Sequence, residues 1–194
     1  SIGSSAFYNC NSLQSVDIPD SVTIIGAHAF SQCYNLQSVQ LGKGVVTIDT
    51  CAFRDCNSLT EIIFPDGLKE ILYDAFAGCV ALTELSIPDS VIKIETNAFQ
   101  YCASLTNVWL GNGLTSLEQI FWNCHSLYSI NIPENVKSVA RTEFFHCNAL
   151  YNNPDYYQNG MLVIDGWLIA VDTDVEYLTN IKNIKNVLED AYAG

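Results

Sequence analysis

Hydrophobic residues recur along the chain at a fixed spacing. Phenylalanine, cysteine and leucine follow one another at intervals of three residues, and the triplet returns every 23 residues, with one interval of 22. Self-similarity at a period of about 20 to 50 residues is the signature of a solenoid, in which successive repeats stack on one another. The three columns are Phe7, Phe30, Phe53, Phe76, Phe99, Phe121 and Phe144, then Cys10, Cys33, Cys56, Cys79, Cys102, Cys124 and Cys147, then Leu13, Leu36, Leu59, Leu82, Leu105, Leu127 and Leu150.

The segment after each leucine alternates between apolar and polar residues, as in Leu-Thr-Glu-Leu-Ser-Ile at 82–87. Alternation with period 2, closed by Pro or Gly, predicts one short strand per repeat. The Ala-Phe segment is expected to form the opposite wall as a short helical or 3₁₀ turn. One repeat cannot enclose its own apolar side chains, so stacking buries them under a parallel sheet. We expect the sheet face to be concave.

Two repeats depart from the pattern. One residue is missing between Leu117 and Phe121, and Ile120 stands in a column that holds alanine in the earlier repeats, so we expect a tighter or bulged turn there. The seventh repeat places Glu143 in the same column and loses its strand. The regular solenoid should therefore be interrupted near residue 150.

A different pattern follows this interruption. Two apolar runs, 161–164 and 167–171, are separated by Asp165-Gly166. Asp-Gly suits the positive φ angles of a type I′ turn, so these runs predict a β-hairpin. The expected organisation is a solenoid of about seven repeats at 1–150, a hairpin insertion at 151–174 and a partial, degenerate repeat at 175–194. Both ends fall within a repeat, and we expect the chain to be a segment of a longer protein.

The unit A-F-x-x-C-x-x-L-x-x-V-x-I-P resembles the BspA-like leucine-rich repeat, also called the Treponema-pallidum-type repeat. The resemblance covers Ile2 to about Leu150, and the "dG-x-L" hairpin is similar to the interruptions found in that family. It implies an α/β repeat fold, a right-handed leucine-rich-repeat solenoid with one parallel strand per repeat. It also implies attachment or protein binding at a cell surface or in a secreted protein, with no catalytic residues in the motif.

Charge narrows the class of partner. With 21 acidic and 8 basic residues, the chain has a net charge of −13. Nucleic-acid binding requires a clustered basic surface, so DNA and RNA are excluded, and anionic membrane surfaces are disfavoured. No apolar run is long enough to insert into a membrane, and the first residues do not resemble a signal peptide. An acidic surface favours basic protein partners.

The residue types that could take part in catalysis or metal binding fit structural roles in this chain. One cysteine per repeat predicts buried, reduced thiols, although the cysteines of neighbouring repeats could lie close enough for a disulfide. Cys51 lies outside the cysteine column and is expected to be the more exposed thiol. The three histidines, His28, His125 and His146, are expected on surface turns, and Asp172-x-Asp174 is expected in a solvated turn. No catalytic, cofactor or metal site is predicted, because zinc sites need closely spaced ligand pairs. The chain is therefore predicted not to be an enzyme.

One outward-facing column of the sheet carries the candidate binding residues. It reads Asp17, Gln40, Ile63, Ser86, Trp109 and Asn131. A solvent-facing sheet should be polar, and Trp is enriched at the energetic centres of interfaces. Ile63 and Trp109, with Tyr128 in the next repeat and the acidic residues Glu61 and Glu84, therefore predict a partner site. A tryptophan that packs on its neighbours or lies under the hairpin is the alternative.

Three functions remain open at this point. The first is an interaction or adhesion module that binds a protein, such as a host or extracellular-matrix protein, through the concave sheet face. The second is a spacer or stalk, and the third is an accessory domain of a larger surface enzyme. Open solenoid ends also lead us to expect end-to-end self-association of this segment.

Overall fold

The computed structural model describes residues 1–140, 142–171 and 186–187. Apart from Asn186 and Val187, the predicted partial repeat at 175–194 lies outside the described residues, as does the Asp172-x-Asp174 pair. The strands are β1 Ser15–Asp17, β2 Ile24–Ile25, β3 Ser38–Gln40, β4 Thr47–Ile48, β5 Glu70–Ile71, β6 Glu84–Ile87, β7 Lys93–Ile94, β8 Asn107–Leu110, β9 Ser116–Leu117, β10 Ser129–Ile130, β11 Ser138–Val139, β12 Tyr157–Gln158, β13 Met161–Ile164, β14 Trp167–Val171 and β15 Asn186–Val187. A 3₁₀ helix spans Asn148–Asn152.

The solenoid strands form two sets of parallel ladders. In the first set β1 pairs with β3, and β6, β8 and β10 pair in order. In the second set β2, β4, β5 and β7 pair in order, and β9 pairs with β11. Partner residues are 23 apart, as in Ser15 and Ser38, and 22 apart after the missing residue, as in Asn107 and Ser129. The predicted parallel solenoid is confirmed.

The second set of ladders was not predicted from the sequence. Its strands in the solenoid are two residues long, as in Ile24–Ile25. They lie where the repeat has only a short Val-x-x-Ile spacing after the Pro or Gly. So short a run shows no detectable alternation. It becomes a strand because the equivalent segment of the next repeat is stacked beside it.

The core consists of columns of like residues. Phe7, Phe30, Phe53, Phe76 and Phe99 stack with ring centroids 5.0–5.2 Å apart and interplanar angles of 2–11°. Each ladder cysteine from Cys33 onward donates its thiol hydrogen to the backbone carbonyl of the phenylalanine one repeat earlier, at 3.1–3.4 Å. The cysteine column thus ties consecutive repeats together inside the core.

The Ala-Phe segments fold as successive turns instead of the expected helical turn. Each solenoid repeat up to the sixth has two residues with positive φ, one before the small-residue column and one before the cysteine. Tight turns of this kind need the left-handed conformation, which non-glycine residues adopt at a cost. The positions before the cysteines are Asn9, Gln32, Asp55, Gly78, Tyr101, Asn123 and His146.

The stacking of the phenylalanine column is irregular at the repeat with the missing residue. The Phe99 and Phe121 rings are 5.8 Å apart and inclined by 15°, a wider and more tilted stack than in the earlier repeats. Ile120 is fully buried in the alanine column. The side chain of Glu143 is also fully buried there.

The predicted hairpin is present at the end of the solenoid. β13 and β14 are antiparallel, with Ile164 opposite Trp167, and the connecting Asp165 and Gly166 have φ angles of 47° and 84°. Both positive angles match a type I′ turn. β12 pairs with β13, and β14 pairs in parallel with β15.

Side chains of this C-terminal segment cover the edge of β10. Asn153 Nδ2 donates to the carbonyl of Tyr128 at 2.8 Å, and the Tyr156 hydroxyl donates to the carbonyl of Ile130 at 2.8 Å. Asp165 Oδ2 accepts the backbone N–H of Ile132 at 2.7 Å. These three side chains satisfy backbone groups that the strand of a next repeat would otherwise pair, so they end the first set of ladders.

Candidate partner-binding face

The outward-facing side chains of β1, β3, β6, β8 and β10, together with Ile63 and the loop residues after these strands, form what we call the first sheet face. Two large apolar residues are exposed in its central column: Ile63 is 75% exposed and Trp109 is 64% exposed. Their neighbours in the column, Gln40 and Ser86, are also exposed. Large apolar side chains are enriched at the energetic centres of protein interfaces, which makes this column the candidate site.

The first set of ladders is divided beside Ile63. Ile63 forms a parallel bridge with Gln40, whereas Ser86 is paired with Trp109 in the next ladder. The connecting bond from Thr83 N–H to the Thr60 carbonyl is 3.4 Å long, compared with 2.8 Å from Thr106 to Thr83 in the next repeat.

Phe64 gives a physical reason for this division. It occupies the inward column that holds isoleucine or leucine in the other repeats, namely Ile18, Leu41, Ile87, Leu110 and Ile132. Its ring packs edge-on against Phe76, with centroids 5.7 Å apart. A phenylalanine is larger than the residues it replaces, and close-packed interiors accommodate extra volume by shifting backbone.

Two shallow grooves lie over this division. One, of about 390 Å³, is lined by Glu61, Ile63, Glu84, Ser86 and Trp109, among others. Four of the five residues predicted as a partner site therefore share one groove.

The second groove, of about 700 Å³, shares Ile63, Ser86 and Trp109 with the first. It extends towards the loops that follow the strands, where Asp66 and Asp89 line it. These two aspartates were missed by the sequence analysis. The recurring Pro-Asp pairs at 65–66 and 88–89 are a signal that could have revealed them.

Tyr128 does not join this groove. Ser129 pairs with Asn107 and Ile130 with Val108, so Tyr128 lies opposite Thr106. That position is three residues along the strand from the column of Trp109. Tyr128 is exposed at 43%, and it lies apart from Trp109 although both belong to the predicted partner site.

The hairpin leaves Trp109 open to solvent. Trp109 and Trp167 both line a depression of about 780 Å³ between the sheet and the hairpin turn. Trp167 is buried, whereas Trp109 keeps 64% of its surface exposed. The alternative in which the hairpin covers this tryptophan is therefore wrong.

The charge around the groove is negative. In the described part of the chain the ion pairs are Arg54 with Asp55, Arg54 with Asp74, and Lys93 with Glu95. The carboxylates that line the two grooves, Glu61, Glu84, Asp66 and Asp89, take no part in them. Lys43 lines a neighbouring groove on the far side of Ile63.

The column thiols from Cys33 onward are unsuited to nucleophilic chemistry. Burial raises the pKa of the ladder thiols from Cys33 onward, to about 12 at Cys147. A raised pKa keeps a thiol protonated and unreactive. The expectation that Cys51 is the more exposed thiol is wrong. Cys51 is 4% exposed, and Cys10 is the half-buried thiol.

The three histidines lie on surface turns, as predicted. His28, His125 and His146 are exposed, and His125 Nδ1 lies 2.9 Å from the carbonyl of His146. Over the described residues, no cluster of three or more potential metal ligands forms. In the same part of the chain no helix has the length and apolar character to cross a bilayer.

Comparison with known proteins places the chain among repeat proteins. The family model described as "BspA type Leucine rich repeat region" matches in six copies, over residues 1–71 and 24–151. The leucine-rich-repeat protein of T. pallidum is 38% identical, with a TM-score of 0.75, over 79% of this chain and 71% of that one. No protein with a curated functional description matches significantly.

Two further solved structures are longer than this chain. A leucine-rich-repeat protein from Bacteroides ovatus is 33% identical with a TM-score of 0.72, over 76% of this chain and 39% of that one. The pneumococcal vaccine antigen PcpA is 26% identical with a TM-score of 0.52, over 68% of this chain and 32% of that one. The chain thus spans well under half the length of both proteins.

Proposed function

Because the chain belongs to the BspA-type leucine-rich-repeat family, we propose that it is a non-enzymatic module that binds a protein partner at a cell surface or in a secreted protein. The repeat fold is a general scaffold for protein interaction, with an extended sheet face available for contact. The pneumococcal relative is a vaccine antigen, and this supports the proposal of a surface location for this chain.

The observation that carries the proposal is the exposure of Ile63 and Trp109 on the first sheet face, which we expect to be concave. A buried interface gains most of its energy from a few large side chains that become fully desolvated. The surrounding carboxylates favour a partner with a basic surface, because complementary charge steers encounter and suppresses wrong partners.

A binding screen with matched variants tests the proposal. The chain is immobilised and screened by surface plasmon resonance against purified extracellular-matrix and host surface proteins. Ile63→Ser and Trp109→Ala should each weaken a saturable interaction at least about tenfold, as expected of residues at the centre of an interface. Ile92, 60% exposed beside β7 in the second set of ladders, provides the control Ile92→Ser, which should leave binding unchanged.

Two outcomes of the screen would contradict the proposal. A partner that binds both variants as tightly as the wild-type chain would rule out the first sheet face. An absence of any saturable partner would overturn the binding function and favour the spacer. The predicted end-to-end self-association is tested separately, by sedimentation velocity over a range of protein concentrations.

A further inference from the structure

Ile63 and Trp109 stand on either side of Ser86 in one column of the first sheet face. Ser86 pairs with Trp109 in register. Ser86 lies one repeat after Ile63 and one repeat before Trp109, and the ladder division falls between Ile63 and Ser86. Ser86, Ile63 and Trp109 line both grooves over the ladder division. The three residues form a slot with a small hydroxyl floor and two large apolar walls.

Carboxylates lie at both ends of this slot. Glu61 and Glu84 line the groove at the end where the strands begin. Asp66 and Asp89 line the groove at the other end, where the loops follow the strands. Among the residues that the structure describes, no basic side chain lines either groove. The slot therefore combines apolar walls with negative charge at its open ends.

We propose that this slot, the Ser86 slot, binds an arginine side chain of the partner protein. The aliphatic stem would pack between the walls, and the guanidinium would stack on the Trp109 ring and bond to a carboxylate pair. Arginine fits better than lysine because its planar group pairs with carboxylates through two parallel bonds and stacks on aromatic rings. An acidic side chain in the slot would be repelled by the carboxylates. A purely apolar side chain would leave the carboxylates without a charged partner.

This inference rests on the proposed use of the first sheet face, but it can be tested without the partner. The probe is a capped pentapeptide with a central arginine between glycines, compared with peptides that carry lysine, norleucine or glutamate instead. Binding to the ¹⁵N-labelled chain is followed by NMR, through the indole N–H of Trp109, assigned with Trp109→Phe, and the amide of Ser86.

The arginine peptide should shift both signals, and it should bind about two- to fivefold more tightly than the lysine peptide. The norleucine and glutamate peptides should leave the signals in place. The double variant Glu61→Gln, Glu84→Gln should weaken binding about two- to fivefold, the range expected for exposed ion pairs. Ser86→Leu should abolish the shift by filling the slot, whereas Ser38→Leu, on the same face but outside the slot, should not.

Equal binding of all four peptides, or an unchanged affinity in Ser86→Leu, would overturn the Ser86 slot. This failure is distinguishable from failure of the proposed function. If Trp109→Ala abolishes partner binding in the screen while no arginine peptide binds, the face is used without the slot. If the arginine peptide binds but no protein partner exists, the slot stands and the interaction function is wrong.

Discussion

The carboxylate of Glu143 accepts a hydrogen bond from the backbone N–H of Ile120 at 2.9 Å. The same oxygen accepts the N–H of Phe121 at 3.2 Å. In the preceding repeat the corresponding phenylalanine, Phe99, donates to a backbone carbonyl of the next repeat instead, that of Ile120. A side chain thus supplies the acceptor at the repeat that is one residue short. Within the described residues, the second carboxylate oxygen has no hydrogen-bond partner.

Stability should fall as pH rises through the titration of Glu143. Burial raises the pKa of its carboxyl from 4.5 to about 7, and repulsion by Glu118 contributes to the rise. The folded chain therefore holds this proton more tightly than the unfolded chain. The stabilisation from this proton is complete below pH 4.5 and is lost as the pH rises to about 7. For a pKa shift of this size, the free energy of unfolding falls by up to about 3 kcal/mol over that range.

Urea unfolding between pH 4.5 and 8.5 measures this effect. Glu143→Gln should flatten the dependence of the unfolding free energy on pH, because glutamine does not titrate. Glu134→Gln, an exposed acid in the same part of the chain, should keep the wild-type slope. If the unfolding free energy of Glu143→Gln depended on pH as steeply as that of the wild-type chain, Glu143 would not be the titrating group.

Native thiol reactivity should identify Cys10 as the accessible cysteine. It is half-buried, whereas the other seven of the eight cysteines are buried. In a reaction with Ellman's reagent, one thiol should react in a fast phase and the others on the time scale of unfolding. Cys10→Ala should remove the fast phase and Cys51→Ala should leave it. The reverse result would restore the sequence-based expectation for Cys51.

Gly78→Ala should destabilise the chain by about 1–2 kcal/mol. Gly78 has φ of +76°, a left-handed conformation that costs an L-residue about this much. Its new Cβ would also lie 2.5 Å from the Asp55 carboxylate, although that side chain can move. Gly67→Ala is the control, since its Cβ would have 3.4 Å of room and no positive φ. Thermal and urea unfolding should show that Gly78→Ala is less stable than Gly67→Ala. Equal stabilities of the two variants would argue against backbone strain at position 78.

Tyr156→Phe should open the covered edge of β10. The variant loses the hydroxyl that donates to the Ile130 carbonyl and lies 3.3 Å from the Ile130 nitrogen. One such hydrogen bond contributes about 0.5–1.5 kcal/mol. Amide hydrogen exchange at Ile130 should become faster, while Tyr34→Phe, on an exposed turn, should leave it unchanged. Unaltered exchange in Tyr156→Phe would show that other contacts protect the edge.

Much of the fold could be predicted because a solenoid is specified locally and repeated. The Phe, Cys and Leu columns predict the stacking, and Asp165-Gly166 predicts the hairpin turn, since each signal lies within a few residues of sequence. The two-residue strands of the second ladders could not be predicted. Their pattern is too short, and they exist because an equivalent segment lies one repeat away.

The candidate site could be predicted only in part. Period-2 alternation correctly places Ile63 and Trp109 on the exposed side of the sheet, because alternation decides which face a side chain takes. It could not reveal that Phe64 divides the ladder beside Ile63 or that the register separates Tyr128 from Trp109. Both depend on how neighbouring repeats fit against each other.

The sequence by itself determined the period, the parallel stacking, the buried columns and the position of the hairpin, because these follow from short patterns that either recur along the chain or, at the hairpin turn, lie within a few residues. Only the tertiary structure decided that Cys51 is buried, that Glu143 supplies a missing backbone acceptor, and that Asp165 ends a ladder 33 residues earlier in the chain. Contacts between residues so far apart are set by the packing of whole repeats and leave no local signal in the sequence.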